Sequence, residues 1–243
     1  MDYSAKSDIG KVRSTNQDSV FAAAQPVGAL PSLFIVADGM GGHKAGDFAS
    51  GYTVRCVTAY AEETGEEEPC RILQGGMQRA NRELNTMARE DYDKRGMGTT
   101  MVAAVIGGHE MYVANVGDSR LYLYRGGIMI QITEDHSYVQ EMVADGQLTR
   151  EEARVHPQKN VITRAVGAMD DLRVDFFHVT LEDGDGVLLC SDGLTNMVED
   201  QRIGEILSAQ GSAEEKAQKL IDEANDAGGT DNVSVVYILP FHI

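Results

Sequence analysis

Two β-hairpin signals stand back to back in the middle of this chain, and they restrict its fold more than any other feature. Residues 99–106 and 111–116 are apolar, strand-like runs on either side of Gly107-Gly108, and residues 121–124 and 128–133 (LYLY and IMIQIT) flank Arg125-Gly126-Gly127. Glycine pairs between β-type runs supply the positive φ angles of tight hairpin turns. The helical periodicities lie outside this block, at about 45–62 and 71–89 before it and at 201–208 and 213–225 after it. Hairpins and helix pairs are therefore segregated and do not alternate one for one, which predicts an α+β protein with antiparallel sheets and argues against a doubly wound parallel fold.

Further strands are predicted at 20–24, at 33–37 (LFIVA), at 174–180, at 187–190 and at 233–239 (VSVVYIL). Residues 1–19 read as a polar lead-in. From Asp135 to about Val166 the pattern becomes polar and helical only in short pieces, with Pro157 as a breaker, so this stretch is expected to leave the sheet as a flap or lid. There is no repeat and no low-complexity tract, and residues 1–243 read as one domain.

The apolar runs end in a telling way. Asp38 follows LFIVA, Asp118 follows MYVANVG, Asp192 follows VLLCS, and Asp231 precedes VSVVYIL. Taken singly, an Asp-Gly step is a turn, and Asp183-Gly184-Asp185-Gly186 is read as nothing more. Four strand-end carboxylates are different. If they converge they repel one another and need cations, and an all-oxygen donor set points to hard ions, Mg²⁺ or Mn²⁺.

Composition narrows the partners. Asp and Glu outnumber Lys and Arg to give a net charge of −17, which opposes a phosphate backbone and argues against nucleic-acid binding. Three cysteines, an odd number without a C-x-x-C pair, suit a reducing compartment. The N-terminal stretch MDYSAKSDIG has no apolar signal segment, and no run is long enough to span a bilayer. The expectation is a soluble, cytoplasmic protein that binds neither nucleic acid nor membrane.

Seven ordered segments carry a resemblance to a known family: Gly10-Lys11-Val12-Arg13 with Asn16-Gln17-Asp18, residues 36–43 (VADGMGGH), Gly98-Thr99-Thr100, residues 115–120 (NVGDSR), residues 161–167 (VITRAVG), Cys190-Ser191-Asp192-Gly193-Leu194, and Gly229-Thr230-Asp231-Asn232. With these the chain resembles, over nearly its whole length, the PP2C-type (PPM family) metal-dependent protein serine/threonine phosphatases, especially the compact bacterial kind. The resemblance implies a four-layer αββα sandwich of two antiparallel sheets flanked by helix pairs. It implies hydrolysis of phosphoserine and phosphothreonine by a water activated between two divalent cations, Mn²⁺ or Mg²⁺, without a covalent phosphoenzyme. Asp38 would bridge the metals and Gly39 would donate its carbonyl. Gly39 would serve one ion, and Asp192 and Asp231 would be the remaining ligands of the other. Asp118 with Asp192 would hold a third, weaker metal, and Asp18 would reach metal through water. Arg13 would grip the substrate phosphate, and His43 is the candidate acid for the leaving alkoxide. Gln17 stands where some members carry Glu, which implies one carboxylate fewer near the second metal. The implied partners are phosphorylated Ser/Thr proteins, a Ser/Thr kinase and its targets among them, and a monomer is expected.

Glycines 39, 41, 42 and 46 form neither G-x-G-x-x-G nor a Walker loop, so a nucleotide site is disfavoured. No cysteine has an arginine six residues on, against a thiol phosphatase. A catalytically inactive binding module of the same fold, or a phosphatase dedicated to one partner, stays open as an alternative. His109, His136, His156, His178 and Cys190 are read as structural.

Overall fold

The structure is a computed structural model and describes residues 1–41 and 45–241. In chain order, β1 (Asp2–Asp8), β2 (Asp18–Ala23) and β3 (Leu33–Met40) lead into α1 (Ala45–Glu63) and α2 (Pro69–Glu90). The hairpin block follows as β4 (Gly98–Thr99), β5 (Met101–Gly107), β6 (Glu110–Val116), β7 (Arg120–Arg125) and β8 (Ile128–Gln131). Two short helices, α3 (Tyr138–Ala144) and α4 (Arg150–Arg154), precede β9 (Asp175–Thr180) and β10 (Gly186–Cys190). The chain closes with α5 (Asp192–Thr195), α6 (Asp200–Ser208), α7 (Ala213–Asp226) and β11 (Val233–Leu239).

All strand pairings are antiparallel. One sheet runs β1-β11-β10-β7-β8. The other runs β2-β3-β5-β6-β9, with β4 pairing on β3. The central strands are apolar on both faces because each face has a partner layer. On β3, Leu33, Ile35 and Ala37 pack with α1 and α2 residues such as Val57 and Met77, while Phe34 and Val36 face the other sheet. On β10, Leu188 and Cys190 pack with α6 and α7 through Ile203 and Leu220, while Val187 and Leu189 face inward. Three apolar layers thus separate helix pair, sheet, sheet and helix pair. This is the αββα sandwich, and the α+β expectation holds.

Besides β4, which splits from the strand predicted at 99–106 and pairs on β3, two elements differ from the sequence reading. The polar lead-in contains β1, which pairs along its whole length with β11, from Asp2 opposite Leu239 to Asp8 opposite Val233. DYSAKSD has no apolar run, and its strand state comes from the neighbour, as edge strands often do. The second is α5, a single turn opened by Asp192. Helix ends elsewhere follow local rules: Ser212 and Glu215 form a capping box at α7, and Thr149 and Glu152 form another at α4.

Residues 135–166 leave both sheets. Ser137 caps α3 by accepting from the Gln140 N–H, and Thr149 opens α4. The excursion is pinned at its base, where the Thr163 N–H donates to the His136 carbonyl at 2.8 Å and the Tyr138 N–H to the Val161 carbonyl at 2.8 Å. Val166 then pairs with Thr99 beside the end of β3.

Leu189 is fully buried between the sheets. Leu189→Ala is expected to lower the unfolding free energy by about 2–5 kcal/mol, read as a lower urea midpoint with an unchanged slope.

Candidate metal centre

Antiparallel topology alone brings the strand-end aspartates to one edge. β3 and β6 both pair antiparallel to β5, so they point the same way and their C-terminal ends lie together. In the second sheet Cys190 at the end of β10 is opposite Arg120 at the start of β7 and Val235 near the start of β11. The segment Gly117-Asp118-Ser119 crosses from β6 in one sheet to β7 in the other. Asp38, Asp118, Asp192 and Asp231 therefore share an edge. Asp18, at the start of β2, sits directly opposite Asp38 in the ladder.

The backbone beneath them is tightly held. The Asp38 N–H donates to Thr100 Oγ1 at 3.0 Å, and the Asp38 carbonyl accepts from the Thr100 N–H at 2.9 Å and from Thr99 Oγ1 at 2.8 Å. Thr100 Oγ1 is also 2.7 Å from Ser119 Oγ, which ties the Asp118 loop to the Asp38 strand. Gly117 sits at φ 104°, and a Cβ there would lie 2.6 Å from Thr100 Cβ, so only glycine lets this crossing lie so close. Gly193 has the same need, since its Cβ would meet the Asn232 carbonyl at 1.8 Å.

The side chains open into a cleft of about 260 Å³ lined by Arg13, Asp38, Gly39, Asp118, Asp192 and Asp231, with Gln17 and Asn160 at its walls. Asp192 Oδ2 accepts from Asn196 Nδ2 at 2.8 Å. Asp231 Oδ2 accepts from Arg13 Nη2 at 2.8 Å, and its Oδ1 from the Asn232 N–H at 2.8 Å. Asp18 is buried; Oδ2 accepts from Ser191 Oγ at 2.8 Å, and Oδ1 has no hydrogen-bond partner among the described residues.

Electrostatics mark this edge as costly. Burial first, then the neighbouring charges of Asp18, Asp192, Asp118 and Asp231, push Asp38 well above the ordinary carboxylate range. Asp118 is raised in the same way by burial and then by Asp192 and Asp135. Asp192 is raised by burial and then by Asp231, and burial lifts Asp18 to about 7. Arg13 is raised by its hydrogen bond to Asp231 and by that residue's charge.

Among the described residues no three His, Cys, Asp or Glu side chains already close on a common point. The case for cations rests instead on mutual repulsion, on the orphaned buried oxygen of Asp18, and on a donor set made only of oxygens. A hard divalent ion fits all three. Asp38, Asp192, Asp231, Asp118 and the Gly39 carbonyl are the groups at the cleft that could hold one. The structure brings together Arg13, Asp18, Asp38, Gly39, Asp118, Asp192 and Asp231. His43, the acid candidate, lies outside the described residues.

A family model, Protein phosphatase 2C, matches residues 6–233. The chain belongs to the protein phosphatase 2C family. It is 43% identical over 241 residues to the serine/threonine phosphatase Stp of Listeria innocua, with 96% of this chain and 93% of the relative covered. The solved serine/threonine phosphatase of S. agalactiae superposes with a TM-score of 0.89 at 40% identity, covering 97% of each chain. The catalytic domain of the phosphatase PstP, solved in complex with two manganese ions, gives a TM-score of 0.85 at 35% identity, covering 97% of this chain and 96% of that one.

Two further residues of this PP2C chain support the site: Asn232, named in the sequence only as part of a motif, and His136, read there as structural. Asn232 is buried: its Nδ2 donates to the carbonyls of Ile9 at 2.9 Å and Thr15 at 3.0 Å, and its Oδ1 accepts from the Gln17 N–H at 2.9 Å. It clamps the loop that bears Arg13 against Asp231, and the adjacency of Asp231-Asn232 was the one available signal. His136, read as structural, is buried behind Asp118. Its Nδ1 accepts from the Gly117 N–H at 2.9 Å, so the ring proton is on Nε2, which faces Asp175 Oδ2 at 2.9 Å. Burial holds its pKa below the ordinary value, which favours the neutral ring this geometry needs. Arg164 pairs with the other Asp175 oxygen at 2.7 Å.

A carboxylate raised on folding holds a proton that the unfolded chain has released, so it costs stability as pH rises from its unfolded value near about 4 through its folded value. For Asp18 that window ends at about 7. In chelator, Asp18→Asn is expected to gain stability relative to wild type as pH rises across this window, and the difference should shrink in Mn²⁺. Melting curves of both proteins at several pH values, with and without metal, check it.

Proposed function

We propose that this chain is a metal-dependent protein serine/threonine phosphatase that hydrolyses phosphoserine and phosphothreonine in proteins by direct attack of water. The observation that carries this reading is the convergence of five aspartates on one partly buried edge with Arg13 at its rim. The family membership and the two-manganese PstP relative support it. All five carboxylates are present, and that favours an active enzyme over an inactive module of the same fold.

Two divalent cations bound here would generate a nucleophile at neutral pH by lowering the pKa of a water and would offset the charge of the phosphate. Asp38, Gly39, Asp192 and Asp231 are the proposed protein donors, with Asp18 behind them. Asp118 and Asp192 are the proposed pair for a third metal. Arg13 is about half exposed and spends one Nη donor on Asp231, leaving the rest of its planar fork for the non-attacked phosphate oxygens. Asp231 thereby orients the arginine as well as serving the metal. His43 is proposed to protonate the leaving alkoxide. Residues 1–243 are read as one phosphatase domain with a flap at about 135–166, working as a monomer in the cytoplasm on the targets of a Ser/Thr kinase. No helix among the described residues is long and apolar enough to cross a membrane.

Hydrolysis of a phosphothreonine peptide by metal-stripped protein should appear only on adding Mn²⁺ or Mg²⁺ and vanish with chelator; turnover in excess chelator would sink the reading. Asp38→Asn and Asp192→Asn should each abolish turnover while remaining folded by circular dichroism. Arg13→Ala should lower kcat/KM about 10–100-fold, the cost of about 1.5–3 kcal/mol for a lost charged hydrogen-bond pair, mostly through KM.

A further inference from the structure

We propose that the cleft beneath the 135–166 excursion is a docking groove for the substrate polypeptide beside its phosphorylated residue, and that it favours segments carrying Asp or Glu side chains. The proposal rests on the phosphatase reading above.

The groove is large, about 740 Å³, against about 260 Å³ for the metal cleft. Asp118, Asn160 and Asp192 line both, so the two spaces are continuous and a chain whose phosphate lies at the aspartates has this groove next to it. One wall is β8, the last strand of its sheet, paired on one side by β7. Ile130 on that strand lines the groove and is 43% exposed. An exposed edge strand with apolar side chains is a ready partner for an extended peptide. The facing wall is the flap, which contributes Val139, Val143 and Ala153.

Charge then sets the preference. Arg150, Arg154 and Lys159 lie on the flap wall. None of them forms an ion pair with a carboxylate among the described residues; Arg154 donates once, to the Val198 carbonyl at 3.3 Å. Apart from Asp118 and Asp192, which belong to the metal cleft, the groove's acids are already engaged. Asp135 takes a two-pronged pair from Arg120 at 2.9 and 2.7 Å, Glu134 accepts from Gln140 at 3.1 Å, and Asp200 accepts from the Tyr122 hydroxyl at 3.3 Å. In a chain of net charge −17, these three cations are gathered on one wall of the groove. They are complementary to an incoming carboxylate, whose approach the rest of the surface would oppose.

The test uses the full chain with Mn²⁺ and three phosphothreonine peptides of equal length: one neutral, one with Asp and Glu on the N-terminal side of the phosphothreonine, one with them on the C-terminal side. One of the acidic peptides is expected to exceed the neutral one in kcat/KM by about tenfold at low salt, equivalent to about 1.4 kcal/mol, with the gain in KM and reduced by added salt. Arg150→Gln with Lys159→Gln should bring that ratio close to one, and Arg150→Glu with Lys159→Glu should turn the preference toward a lysine-bearing peptide. Equal kcat/KM for all three peptides in wild type, or an acidic preference that survives both double variants, would overturn the proposal. Failure to hydrolyse any of the peptides would overturn the phosphatase reading and this proposal with it.

Discussion

Five carboxylates crowded on one partly buried edge repel one another, and much of the surrounding structure can be understood as what holds them there. An edge of this kind is unfavourable on its own, because burial and like charge both oppose ionisation. It persists because it is built on strands fixed by three apolar layers. Asp38 illustrates the division. Its side chain is pushed far from its ordinary pKa, while its backbone is held on both sides by Thr99 and Thr100. The same repulsion that strains the edge is the affinity it has to offer a divalent ion.

Rigid support continues outward from the carboxylates. Ser191 fixes one oxygen of Asp18, Asn196 fixes one of Asp192, and Asn232 joins the Arg13 loop to the Asp231 turn. Groups placed by such neighbours need little rearrangement to act. His136 extends the support toward the flap. Through Gly117 it touches the loop of Asp118, and through Asp175 it reaches Arg164 at the flap's base. The base of the 135–166 excursion and the position of Asp118 therefore share a hydrogen-bonded chain, and the groove beneath that excursion opens onto the same carboxylates. Substrate docking and metal binding would be felt by one connected set of residues.

Much of this was legible along the chain. LFIVA, VLLC and VSVVYIL announce strands buried on both faces, and the two glycine-turn hairpins place β5 to β8 correctly. The acidic strand ends were visible too. What escaped was whatever depended on a distant partner. DYSAKSD becomes β1 because β11 offers its edge, and nothing in seven mostly polar residues says so. His136 looked like one of several unremarkable histidines, because its importance lies in accepting from Gly117, nineteen residues away. Asn232 was visible only as part of a motif, since its three contacts belong to a loop more than two hundred residues earlier.

The sequence by itself determined the class of the fold and the identity of the acidic groups, because periodicity, turn glycines and residue chemistry are local properties. The order of strands in the two sheets, the meeting of Asp38, Asp118, Asp192 and Asp231 at one edge, and the continuity of their cleft with the groove beneath residues 135–166 were decided only in three dimensions. The physical reason is that antiparallel pairing fixes which strand ends lie together, and that pairing is settled by the joint burial of faces contributed by residues far apart in the chain.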